Sequence, residues 1–158
     1  MVTITQASPK QDEVLILLRH SDEFAAALYP PESCHMVDVD ALTAASVRFF
    51  VARLDGRAVG CGALVLADAG QAEIKRMFVD PSARGHGVGR AILTAIEDAA
   101  RNAGVALVQL ETGTSNHDAL GLYRRFGYRE REPFGGYRPD PLSVFMEKSI
   151  RPSATVPA

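Results

Sequence analysis

Apolar and polar residues alternate in short runs along most of this chain and fall at helical spacing in between. Val2 and Ile4 stand on one side of the first run and Thr3 and Thr5 on the other, which predicts a short edge strand over Val2–Gln6. Ser8-Pro9 reads as a helix start, and Val14, Leu15, Leu17 and Leu18 would form the buried side of that helix. A second helical piece is expected over Asp22–Leu28, stopped by Tyr29-Pro30-Pro31. After a polar, proline-containing loop, Ser46–Leu54 and Ala58–Ala67 read as strands joined by the hairpin signal Asp55-Gly56. Asp68-Ala69-Gly70 turns the chain into a third antiparallel strand, Gln71–Val79. Val88, Ile92, Leu93, Ile96, Ala99, Ala100 and Ala103 then fall mostly at steps of three and four, one apolar stripe ended by Gly104. Ala106–Glu111 is short and apolar, as a buried strand is. Leu120, Leu122, Tyr123 and Phe126 give bulk to a short helix that starts at Ser115 or Asn116 and ends at Gly127. Tyr128–Glu130 and Val144–Glu147 are the last two strands.

The resulting order is β–α–α–β–β–β–α–β–α–β–β, an α/β (α+β) arrangement. A right-handed crossover through the long helix would make Gln71–Val79 and Ala106–Glu111 parallel neighbours in a single mixed sheet of about 6–7 strands with flanking helices. Residues 1–150 are expected to form one domain and 151–158 a disordered tail.

Composition narrows the function. With 158 residues, 47% hydrophobic and 23% charged, the chain can bury a core of its own. A net charge of −2 argues against general nucleic-acid binding. No apolar run has the length of a membrane span, and MVTITQASPKQ lacks the layout of a secretory signal. Cys34 and Cys61 fit a reducing compartment and lack the spaced partners of a zinc site, so the expectation is a cytoplasmic protein without metal.

Between the third strand and the long helix stands ARGHGVGR. Gly85, Gly87 and Gly89 allow close approach of the backbone to a bulky anion. The unpaired first-turn N–H groups and the dipole of the following helix suit a pyrophosphate, with Arg84 and Arg90 beside it. A Rossmann fingerprint is excluded, because its third glycine position holds Arg90. A P-loop is excluded because no Gly-Lys-Ser/Thr follows.

The pattern Arg84-x-x-Gly87-x-Gly89 after a strand ending Val79-Asp80-Pro81 resembles the acetyl-CoA motif of the GNAT acetyltransferases (Gcn5-related N-acetyltransferases). The run Asn116…Ala119-Leu120-x-Leu122-Tyr123-x-x-Phe126-Gly127-Tyr128 adds to the likeness. The resemblance covers nearly the whole chain, is closest from Glu73 to Tyr128, and implies the GNAT fold with acetyl-CoA as cosubstrate. It implies that Gly85, His86, Gly87, Val88 and Gly89, with Arg84 and Arg90, hold the pyrophosphate. Arg124 or Arg125 would help at the 3′-phosphate. The backbone of Met77, Phe78 and Val79 would pair with the pantetheine arm and offer an oxyanion donor, and Asn116 would bond the same arm.

Acetyl transfer to an amine needs a base, because an alkylammonium has a pKa near ~10. Glu73 fits the family's acidic position and is the expected base; its alternative is a surface residue paired with Lys75, and Glu111 is a weaker candidate for the same task. Tyr123 occupies the place of the family's tyrosine, the general acid next to the thioester sulfur. Arg19, Arg48 and Arg76 are candidates for a carboxylate clamp. Tyr29, Glu32 and His35, with Tyr137, Asp140 and Ser143, are acceptor-side candidates. The expected activity is N-acetylation of a small, amino-acid-like amine. A protein N-terminal acetyltransferase and a non-catalytic CoA-binding module are the alternatives. A homodimer is a family-level expectation only.

Overall fold

The strands β1 (Val2–Gln6), β2 (Val47–Leu54), β3 (Arg57–Leu66), β4 (Gln71–Val79), β5 (Leu107–Gly113), β6 (Arg129–Arg131) and β7 (Ser143–Ser149) form one sheet in the order β1-β2-β3-β4-β5-β7-β6. Helices α1 (Asp12–Leu28), α2 (Val88–Asn102) and α3 (His117–Arg125) flank it. This is a computed structural model, and it describes residues 1–35 and 37–152. Residues 153–158 of the expected tail lie outside the described residues.

Every neighbouring pair is antiparallel except β4 and β5, which α2 connects as the crossover helix. The Asp55-Gly56 hairpin has positive φ at both residues, 51° and 85°, as a type I′ turn demands. The sequence suggests two helices before β2, but the structure has a single one, Asp12–Leu28. Its start lies beyond Ser8-Pro9, because Ser8 Oγ accepts from Lys10 N–H at 3.1 Å in a local turn. The polar stretch His20-Ser21-Asp22 is no break either: Ser21 is buried one turn on from Leu17 and Leu18, and its neighbours face outward. Two short 3-10 turns, Pro31–Ser33 and Ala41–Thr43, occupy the loop that follows.

The sheet has a core on each face. Leu64, Ile74, Leu110 and Met146 pack with Ile92 and Ile96 of α2. Phe49, Val51 and Phe78 pack with Val14, Leu17 and Leu18 of α1. α2 sits unusually close to β3, since a Cβ on Gly60 or Gly62 would come within 2.9 Å of Ile92.

One charge crosses the α2 core. Glu97, 3% exposed, accepts from Tyr128 Oη at 2.8 Å and from Lys148 Nζ at 2.8 and 3.1 Å, tying α2 to β7 and to the segment after α3. Removing one member of a buried ionic group leaves the others desolvated and unpaired. Glu97→Ala is expected to lower unfolding stability by about 3 kcal/mol, measured by urea titration. Glu97→Gln, which keeps an acceptor for Tyr128, should lose less.

Candidate active site

β4 and β5 pair only from Gln71↔Leu107 to Ile74↔Leu110. Past that point both strands continue, but apart. The divergence coincides with a bulge in β4. Its register against β3 passes from Cys61↔Phe78 to Ala63↔Lys75, one residue more on β4 than on β3, and Arg76 there has a φ of 57°. Arg76 is held by an ion pair to Asp22 at 2.6 Å and by a bond from its guanidinium to the Leu18 carbonyl at 3.3 Å. The fork between the strands opens into a cleft of about 700 Å³.

At one end of the cleft is the glycine turn. Gly85 and Gly87 have φ of 83° and 76°, and the space a Cβ would occupy on either is open. Gly87 is the N-cap of α2 and offers no side chain to its first-turn N–H groups. The donors therefore face the cleft with room for a diphosphate, so the loop fits one. Gly89, Arg84 and Arg90 line the cleft as well. Arg84 reaches Asp118 at 3.0 Å and lies over the Phe24 ring. His86 is not a lining residue. Its ring Nδ1 lies 3.1 Å from the Ala83 carbonyl, so that nitrogen carries the proton and donates back into the turn. The Val88 side chain is buried in the α2 core, leaving only its backbone to a ligand. Arg125 lines the cleft, whereas Arg124 turns to Glu130 at 3.4 Å.

A bulky side chain at Gly87 would fill this cradle and force a β-carbon into left-handed backbone, itself ~1–2 kcal/mol unfavourable. Gly87→Val is expected to raise the dissociation constant for acetyl-CoA at least about tenfold, measured by calorimetry, with a thermal melt to check that the fold persists.

In the middle of the fork the side chains of β4 leave the ligand only backbone. Met77 packs toward α2, Phe78 is buried toward α1 against Phe24, and Val79 packs into the α2 core. Asn116 lines the cleft as the N-cap of α3 and makes no side-chain capping bond. Tyr123 lies opposite, 3% exposed. The end of α3 fixes it. Gly127 (φ 93°) donates to Arg124 O at 3.0 Å and Tyr128 N–H donates to Tyr123 O at 3.0 Å, a Schellman closure that stacks the Tyr123 and Tyr128 rings edge to face. Burial, and then the charge of Glu111, push the Tyr123 phenol well above its ordinary value.

The far end is built from β4, β5 and two loops. Strand alternation puts Glu73, Lys75 and Glu111 on the α1 face. Glu111 lines the cleft, while Glu73 stands outside it. Glu73 accepts from Tyr137 Oη at 2.6 Å and pairs with Lys75 at 3.3 Å. Lys75 also donates to Tyr137 Oη and to the His35 carbonyl at 3.2 Å. Burial raises the Glu111 pKa, opposed by the nearby Ser143 hydroxyl and by the charges of His35 and Lys75. His35 and Tyr29 line the cleft, but Glu32 is exposed outside it. Ser33 Oγ donates to Asp140 at 2.7 Å, and the His35 and Tyr137 rings meet edge to face at 5.4 Å, so the two loops close on each other. The clamp expected from arginines is not assembled here. Arg48 bonds the Ala45 carbonyl at 2.7 Å, Arg19 is exposed on α1, and Arg76 is held as described.

Among known proteins, the model of the acetyltransferase (GNAT) family matches residues 15–128. The chain belongs to the GNAT family. Over 150 residues it is 48% identical to IAA acetyltransferase of Azospirillum brasilense, covering 94% of this chain and 98% of that one. Its structure is similar to one described as an acyl-CoA N-acyltransferase from Klebsiella pneumoniae, with a TM-score of 0.80 and 39% identity over 94% and 97% of the two chains. It also shares its fold with PaiA N-acetyltransferase of Thermoplasma acidophilum, solved in complex with coenzyme A, with a TM-score of 0.74 at 17% identity over 95% and 99%. This GNAT protein is an acetyl-CoA-dependent N-acetyltransferase.

Sequence reasoning passed over Phe24 and Ser33 and named Lys75 only as a partner of Glu73; all three are in the cleft wall of this GNAT chain. Lys75 was within reach, because it shares strand parity with Glu73. Phe24 and Ser33 carried no signal. Among the described residues, no helix is long and apolar enough to cross a membrane, and no three His, Cys, Asp or Glu residues gather as a metal site.

Proposed function

We propose that this protein transfers the acetyl group of acetyl-CoA to a primary amine of a small molecule by direct attack. The observation that carries the reading is the fork itself. An acidic side chain, Glu111, and a buried phenol, Tyr123, belong to one cleft that begins at the open glycine turn. Gly85, Gly87 and Gly89 with Arg84 and Arg90 hold the diphosphate. The bare edge of β4 at Met77–Val79 and the Asn116 amide hold the arm that carries the thioester. A backbone N–H of that edge stabilises the oxyanion.

Glu111 takes the proton from the ammonium, and its raised pKa brings it nearer the working range of a base. Glu73, the base expected on sequence grounds, has its carboxylate bonded to Tyr137 and Lys75; it orients the far wall and adds its charge to the site. Tyr123 donates a hydrogen bond to the departing sulfur.

The small-molecule reading is favoured over a peptide acceptor because a peptide needs an open groove between the Pro30–His35 and Phe134–Ser143 loops. The Ser33–Asp140 bond at 2.7 Å spans that gap. The name of the A. brasilense relative, IAA acetyltransferase, points the same way. Free-thiol release from acetyl-CoA, measured against panels of small amines and of peptides, tests the proposal. Release with peptides alone would reverse it.

A further inference from the structure

Charge at the far end of the cleft is unbalanced. Glu73, Glu111 and Asp140 stand there against one permanent cation, Lys75, and the His35 ring, 3.9 Å from Asp140. That ammonium donates to the His35 carbonyl at 3.2 Å and to Tyr137 Oη, and pairs with Glu73 Oε2 at 3.3 Å. Its charge is already answered by Glu73. Arg84 faces Asp118, Arg76 faces Asp22, and Arg48 bonds a backbone carbonyl at the start of β2. Glu111 forms no ion pair among the described residues, so its charge is the one a ligand must answer.

The wall around that charge is apolar. Ala25 and, one turn on, the Tyr29 ring line it where α1 ends. Tyr29 is fixed, because its hydroxyl accepts from Ser115 N–H at 3.0 Å and its ring fills the space a Cβ on Gly113 would take.

Resting on the transfer reading above, we propose that the acceptor is an amine with an aromatic or apolar body and no carboxylate: an arylalkylamine rather than an amino acid. The ammonium is drawn to Glu111 and the body lies on Tyr29 and Ala25. A carboxylate on the same carbon as the amine would add a further negative charge to a site whose permanent cation, Lys75, is already paired with Glu73, and its desolvation would go poorly compensated.

Three ligands with one skeleton test this. Phenethylamine has the amine alone, phenylalaninamide adds a neutral group of carboxylate size, and phenylalanine adds the charge. Dissociation constants are measured by calorimetry on the CoA complex, and thiol release is followed for each. Phenethylamine and phenylalaninamide are expected to bind at least about tenfold tighter than phenylalanine. In Glu111→Gln the gap between phenylalanine and its amide should narrow. Equal binding of phenylalanine and phenylalaninamide overturns the proposal while leaving acetyl transfer intact. A gap unchanged in Glu111→Gln also overturns it, since Glu111 would then not be the source. No thiol release with any amine, from protein that still binds acetyl-CoA, removes the transfer reading itself.

Discussion

Tyr123→Phe is expected to lower kcat by about a hundredfold while leaving the affinity for acetyl-CoA within about threefold. The ring is held by packing on Tyr128 and by the Schellman closure at Gly127, neither of which uses the hydroxyl. The variant therefore keeps its shape and loses one donor at the sulfur. The pH profile distinguishes this role from a structural one. Burial and the Glu111 charge hold the phenol protonated far into the alkaline range. The wild-type profile should therefore show no falling alkaline limb from Tyr123. A variant with kcat unchanged would remove Tyr123 from the chemistry.

The second large effect is at Glu111. Glu111→Gln is expected to reduce kcat/KM by about a hundredfold or more and to raise thermal stability at the same time. Burial is the chief cause of its raised pKa, which means the folded state holds the proton more tightly than the unfolded state does. Between the two pKa values the native protein binds more protons, so stability falls as pH rises through that interval and stays lowered above it. Glutamine removes the desolvated charge, so the variant should melt higher than wild type at pH 8. The two should converge at a pH below the ordinary carboxylate range, where wild-type Glu111 is neutral in both states. Activity should rise with pH along a limb set by Glu111. Amines of different basicity separate that limb from the amine's own ionisation, because only the latter moves. A variant with no gain in melting temperature at pH 8 would mean that the carboxylate is better solvated than its place in the cleft implies.

The shape of the glycine-turn end was legible in the sequence because it is local. Arg84 to Arg90 sits in one turn, Gly85 and Gly87 leave the backbone open there, and α2 follows as its apolar stripe predicts. Strand limits were legible for the same reason, since alternation and the Asp55-Gly56 turn act over a few residues. The acceptor end was not, because its geometry comes from distant segments. Glu73 and Glu111 look equivalent by parity. What separates them is Tyr137, 64 residues beyond Glu73, whose hydroxyl occupies that carboxylate. The single α1 was obscured by Ser21, a polar residue that the sheet side of the helix buries without harm because it is small.

The bulge at Arg76 gives this sheet something its outer rims do not have: an unpaired border in its interior. Free strand borders ordinarily recruit other chains and seed aggregates, and proteins blunt them with charge or cover. Here the border is walled by α1 and α3 instead of lying open to solvent. A hazard of β-structure is thereby kept inside the fold, away from the rims where other chains could pair with it.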